Sequence, residues 1–130
     1  MQKHPTVVGL KVCHEAIVEE KTHNVTLVNC FRELALRSLP AVLRSFVACL
    51  VLTDGNGNGK LTLKITEPAD LDDIWEKSWD ISIKDPLKEI WYLLPINGCT
   101  VERPGSYQVS AWLDGEPLAR TVVRISQKGA

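Results

Sequence analysis

Along most of this chain, side chains two positions apart share one character, apolar or polar, which is the period of a half-buried β-strand. The clearest case is Trp79-Asp80-Ile81-Ser82-Ile83-Lys84, where Trp79, Ile81 and Ile83 fall on one face and Asp80, Ser82 and Lys84 on the other. Clusters of Gly, Pro, Asn and Asp separate such runs at the spacing of an all-β domain. The pattern predicts strands near 6–18, 24–35, 44–53, 59–66, 79–84, 89–96, 105–113 and 117–126. Phe46–Leu52 is apolar at every position, as a central strand covered on both faces requires. One short helix is expected near 69–78, with an irregular loop as the alternative. There Leu71, Ile74, Trp75 and Ser78 share a helical face, and Asp70, Asp72 and Asp73 suit a helix amino end.

These elements assemble into a single domain, 1–130, with no repeat or linker. The expected fold is an antiparallel β-sandwich of immunoglobulin-like or Greek-key type, with about seven to nine strands in two packed sheets. Trp79, Ile81, Ile83, Leu50, Leu61, Leu63, Tyr107, Val109 and Val123 supply the inner faces. The carboxyl-terminal hairpin is specified more closely, because the odd positions of both 107–113 and 119–125 suit a core. Cross-strand partners share a face, so a two-residue turn at Asp114-Gly115 would set Arg120 beside Val109. A three-residue loop, Leu113-Asp114-Gly115, is therefore expected, pairing Val109 with Ala119 and Tyr107 with Thr121. That register leaves Trp112 facing outward with Gln108, Ser110, Arg120 and Arg124.

Composition narrows the partners. Apolar residues make up 45% and charged residues 24% of 130 residues, the balance of a folded globular chain. The formal net charge is −1, and the basic residues are scattered, unlike the concentrated footprint that a phosphate backbone demands. No amino-terminal apolar stretch precedes a cleavage signature, and the Phe46–Leu52 run is far shorter than the ~20 residues that span a bilayer as a helix. A cytoplasmic protein with no nucleic-acid or membrane partner is expected, its cysteines Cys13, Cys30, Cys49 and Cys99 reduced.

Candidate chemistry is sparse. Asp54-Gly55-Asn56-Gly57-Asn58-Gly59 matches the first half of a calcium loop, but the twelfth position is Ile65 where a bidentate Glu is needed, so a hairpin turn is expected. If the first hairpin closes at Glu20-Lys21-Thr22-His23, Cys13 faces Cys30, as a pair of reduced thiols or, alternatively, as a disulfide. His14 points away from Cys13, and no Cys-x-x-Cys or His-x-His spacing exists, so neither a metal nor a cofactor is expected. Glu67, Asp70, Asp72, Asp73, Glu76 and Asp80 form an acidic stretch, read as a solvated face. No nucleophile motif surrounds any serine or cysteine, so no catalytic residue is assigned. Trp79 and Trp91 are expected in the core. Trp112, with Arg120 and Arg124 beside it, is the expected partner-binding residue, the alternative being a ring covered by a loop or stacked on Arg120.

The order of short motifs adds a resemblance. Val12-Cys13-His14-Glu15, an Asn-Val-Thr-Leu-Val strand at 24–28, Leu52-Thr53-Asp54-Gly55, Pro104-Gly105-Ser106-Tyr107 and Trp112-Leu113-Asp114-Gly115-Glu116-Pro117-Leu118-Ala119 resemble a family of small bacterial cytoplasmic all-β proteins with no assigned activity. The resemblance covers nearly the whole chain and implies a fold, but transfers no functional residue. The reading that follows is a non-catalytic protein-interaction module or oligomer subunit. Its rivals are a small carbohydrate-binding or hydrolase-like sandwich using carboxylates of 67–80, and a structural component of a larger assembly such as a phage-like particle.

Overall fold

The structure, a computed structural model, describes residues 1–129. Its strands are β1 (Thr6–Val18), β2 (Val25–Cys30), β3 (Glu33–Leu36), β4 (Ala41–Val42), β5 (Phe46–Thr53), β6 (Gly57–Thr66), β7 (Asp73–Ile83), β8 (Ile90–Ile96), β9 (Thr100–Val101), β10 (Gly105–Leu113) and β11 (Glu116–Gln127). A four-stranded sheet runs in the order β2-β1-β5-β8, a five-stranded sheet in the order β3-β11-β10-β6-β7, and β4 pairs with β9. The inner faces meet in one apolar layer. Leu10, Val12, Phe46, Ala48, Leu50, Leu52 and Leu94 come from the first sheet, and Leu61, Leu63, Ile65, Tyr107, Val109, Val123 and Ile125 from the second. All the inner-face residues expected from the alternation are buried, except Trp79, which is partly covered. β5 is the central strand its composition demands, paired with β1 on one side and β8 on the other.

The chain passes between sheets through Phe31 and Arg32. Phe31 N–H donates to the Val12 carbonyl at 3.1 Å, and Arg124 N–H donates to the Arg32 carbonyl at 2.8 Å. The buried Phe31 ring joins the core, its centroid 4.6 Å from that of His14 and 5.4 Å from that of Phe46. β3 then runs parallel to β11, the one departure from antiparallel pairing.

Two local expectations are corrected. There is no helix among the described residues, and the segment expected to be helical holds a turn followed by the first residues of β7. β6 offers a partner along the whole of β7, with Ile65 opposite Trp75 and Leu61 opposite Trp79. That pairing satisfies the backbone and half-buries both indoles, whereas Leu71, which the helix would have to bury, is 74% exposed. In the last hairpin, Leu113 pairs with Glu116 around a two-residue turn, not the three-residue loop. Asp114 and Gly115 have φ of 51° and 81°, both left-handed as a type I′ turn requires. The mismatch this would impose is removed further along, where Ala111 pairs with Ala119 but Trp112 with Pro117, leaving Leu118 as the extra residue of a bulge. Pro117 lacks the N–H of a regular ladder, and the pairing gives way beside it. Tyr107 therefore faces Val123, and Val109 faces Thr121, so inward positions still meet inward positions.

The outer faces differ. On the β6–β7 part of the five-stranded sheet the outward side chains are polar and paired: Thr62 and Ser78 hydroxyls share a 2.8 Å hydrogen bond, and Lys64 Nζ lies 3.7 Å from Asp73 and 4.0 Å from Glu76. On the four-stranded sheet they are largely apolar.

Candidate functional site

Trp112 does face outward with Gln108, Ser110 and Arg120, and these residues line a shallow groove. Its indole is nevertheless largely satisfied within the sheet. Nε1–H donates to Ser110 Oγ at 2.9 Å, and Lys64 Nζ, not Arg120, lies 4.8 Å from the ring centroid. Arg120 reaches Gln108 Oε1 only at 3.5 Å, and Arg124 stands beside Glu33 of β3.

The acidic stretch divides. Glu67, Asp70 and Asp72 line a cleft of about 310 Å³ with Ile74, Thr100, Glu102, Arg103 and Tyr107, while Glu76 and Asp80 lie along the exposed edge strand β7. Glu67 is buried and fully engaged. It accepts the N–H groups of Ala69 at 3.0 Å and Asp70 at 2.8 Å and lies 3.3 Å from Arg103 Nε; Arg103 Nη2 donates to Asp70 Oδ2 at 3.0 Å. Tyr107 O–H donates to the Arg103 carbonyl at 2.7 Å, which ties this turn to the core strand β10. The Asp70 N–H, helped by Ala69 N–H and Arg103, holds the Glu67 carboxyl below its usual range despite burial.

A depressed folded pKa contributes stability that is complete above the ordinary value of 4.5 and is lost as pH falls through the folded value. The melting temperature of the wild type is expected to fall more steeply below about pH 4.5 than that of Glu67→Gln, whose amide does not titrate. Parallel acid limbs in thermal melts would show that another group carries the effect.

Asp54–Asn56 links β5 to β6, with strand pairing already under way at Gly57, so no twelve-residue calcium loop is formed; nor is it the expected hairpin turn, because β5 and β6 belong to different sheets and the segment carries the chain from one to the other. Among the described residues, no three His, Cys, Asp or Glu side chains converge to hold a metal, and no helix is long and apolar enough to cross a membrane.

The remaining surface is the outside of the four-stranded sheet. Leu94 and Ile96 enter the core, so Trp91, Leu93 and Pro95 point outward from the edge strand β8. Register sets Val51 beside Trp91, Cys49 beside Leu93 and Val47 beside Pro95, then Gly9, Lys11 and Cys13 on β1, and Cys30 and Val28 on β2. Cys13, Cys49 and Val51 are buried on this side without belonging to the main core, so the sheet carries a second, thinner apolar layer. Across from it, Val18, His23, Asn24 and Val25 at the hairpin tip line one open trough of about 590 Å³ with Glu89, Ile90, Trp91 and Leu93. Trp91 is 43% exposed, which corrects the expectation that it lies in the core. Its Nε1–H donates to Glu89 Oε1 at 2.7 Å, fixing the indole without covering its ring.

A family model described as a family of unknown function, DUF6941, matches residues 10–126. The chain belongs to DUF6941. None of the curated proteins matches it. The resemblance drawn from strand and turn signatures thus holds at the level of the family, which runs from β1 into β11 and includes every strand of both sheets. In this DUF6941 chain the exposed indole is Trp91, and one signal in the sequence pointed to it. Ile90–Ile96 is apolar on both faces yet contains Pro95, and proline within a sheet belongs to edge strands, where nothing need cover the outer side.

Proposed function

We propose that this protein is a non-catalytic interaction module that docks an apolar segment of a protein partner in the trough beside Trp91. The observation that carries the reading is the group of exposed apolar side chains on this side of the four-stranded sheet, Trp91 on β8 with Ile17 and Val28 on the hairpin, flanked by half-buried Leu93 and Val47 and underlain by the buried Cys49 and Val51. Contiguous apolar surface of this kind on a sheet that already has a full core on its other side is the usual mark of a contact surface. Lys11, Glu15, His23 and Glu89 border it, giving the apolar centre and polar rim of a protein interface. A partly exposed tryptophan whose indole is fixed by one hydrogen bond is the residue type that most often dominates such contacts.

The cleft at Glu67 supports a hydrolase-like reading less well. A catalytic acid needs its pKa raised, whereas Glu67 is held ionised by two N–H donors and Arg103. The Trp112 groove supports a contact surface less well than Trp91, because its indole N–H and one ring face are already engaged.

The test compares wild type, Trp91→Glu and Trp112→Ala by sedimentation velocity and by capture from the cells that make the protein, with thermal melts to show that each variant is folded. Trp91→Glu is expected to abolish self-association or capture of the specific partner, a loss of about thirtyfold or more, corresponding to about 2 kcal/mol or above. Trp112→Ala is expected to behave as wild type. Unchanged behaviour of Trp91→Glu ends this reading, and loss with Trp112→Ala alone transfers it to the Trp112, Arg120 and Arg124 face.

A further inference from the structure

We propose that Cys30 and Cys13 form a thiol–disulfide exchange site, at which a low-molecular-weight disulfide oxidises the pair to a cross-strand bond inside the β1–β2 hairpin. The inference stands on hairpin geometry and does not depend on the docking reading. Cys13 and Cys30 are direct partners in the register of β1 and β2. The Phe31 N–H to Val12 carbonyl bond, 3.1 Å long, runs between the residue after Cys30 and the residue before Cys13. A bond so placed flanks a non-hydrogen-bonded pair, the position at which antiparallel Cα atoms approach to about 4.5 Å and side chains are closest. That separation falls within the ~4.4–6.8 Å that a disulfide spans. No other pair of cysteines is opposed in this way: Cys49 sits across from Lys11 and Leu93, and Cys99 lies in the main core.

The two thiols divide the chemistry. Cys30 is exposed and meets the oxidant, whereas Cys13 is 0% exposed and is reached only through Cys30. The Cys30 thiolate attacks one sulfur of the small disulfide, the S–S bond breaks, and one small thiol leaves with the proton that Cys30 gave up. Cys13 then attacks the Cys30 sulfur of the mixed disulfide, forming the Cys13–Cys30 bond and releasing the second small thiol with the proton of Cys13. Two protein thiols are oxidised by two electrons in total, and the small disulfide is reduced to two thiols. Burial and the neighbouring Cys30 push the Cys13 thiol up, so it is a poor nucleophile while Cys30 is free. Capping Cys30 removes one of those two causes and favours the closing step. Burial pushes Cys99 up to about 11, and burial with the neighbouring Cys13 and Cys30 pushes Cys49 up to about 11, which keeps both out of the exchange.

The experiment treats the full chain with oxidised glutathione and follows intact mass, peptide maps without reductant, and thermal melts. The wild type is expected to become lighter by two hydrogen atoms with no adduct, to yield a Cys13–Cys30 crosslinked peptide, and to melt about 5–10 °C higher until dithiothreitol reverses the change. Cys13→Ala is expected to keep glutathione on Cys30 as a stable adduct, and Cys30→Ser to react at neither position. A lasting adduct on wild-type Cys30, a crosslink to Cys49, or a wild type that resists oxidation while unfolded protein oxidises would each overturn the proposal. The docking reading is tested separately with reduced protein, so either can fail alone.

Discussion

Truncating Leu50 to alanine is expected to lower the free energy of unfolding by about 3–5 kcal/mol and the melting temperature by roughly 10 °C or more. Leu50 is 0% exposed and lies in the middle of β5, opposite Leu10 on one side and Tyr92 on the other. Because β5 is hydrogen-bonded along both edges, it cannot slide inward to close the space left by the missing carbons. The cost therefore includes both the lost transfer energy and an unfilled cavity. Leu93→Ala, in the neighbouring strand but on the half-buried outer side, is the control and is expected to cost less than half as much. Urea denaturation of both variants, read as midpoints at constant slope, decides the matter. Equal losses would mean that the outer layer is as well packed as the core, and would remove the contrast on which the contact surface rests.

Gly57→Ala is expected to cost about 2–4 kcal/mol, through two effects that a second glycine separates. At Gly57 the φ of 107° is unfavourable for any side chain, and a Cβ would stand 2.8 Å from the Gln2 backbone nitrogen. The Asn56 carbonyl holds the N–H groups of both Gln2 and Lys3 at 3.0 Å, so the clash dislodges a bridged segment instead of a flexible side chain. Gly98 also has positive φ, at 70°, but nothing lies within 4 Å of its would-be Cβ. Gly98→Ala is expected to show the backbone strain alone, about 1–2 kcal/mol. Equal destabilisation of the two variants would show that the approach of Gln2 is relieved at no cost.

The extent to which the sequence foretold this molecule can be followed residue by residue. Alternation at Trp79, Ile81 and Ile83 named an inward face correctly because any sheet partner imposes the same two-residue period. The opposition of Cys13 and Cys30 was legible because a short hairpin fixes its register from the loop outward. The last hairpin shows where such counting stops. The requirement that odd positions meet odd positions was sound, yet the extra residue lies at Leu118 and not in the turn, since both sites restore the same parity. The helical spacing of Leu71, Ile74 and Trp75 was overridden because β6 supplied a pairing partner that local propensity does not register.

The candidate site was the least legible part. Trp112 and Trp91 both follow from alternation as outward or inward only relative to their own strands, and their surroundings come from elsewhere in the chain. Lys64 of β6 lies over Trp112, while Trp91 on the edge strand β8 stays 43% exposed beside the β1–β2 hairpin tip. By itself the sequence determined an all-β chain, most of the residues that form its core, and the first and last hairpins, because these depend on period and loop length; the short Asp54–Asn56 link instead crosses between sheets. The tertiary structure alone decided the sheet order, and with it which outward face is apolar and leaves Trp91 exposed at its edge. Trp91 and Cys49 share one face with the Cys13–Cys30 hairpin pair only when β8, β5 and β1 lie side by side, an arrangement set by packing between distant segments.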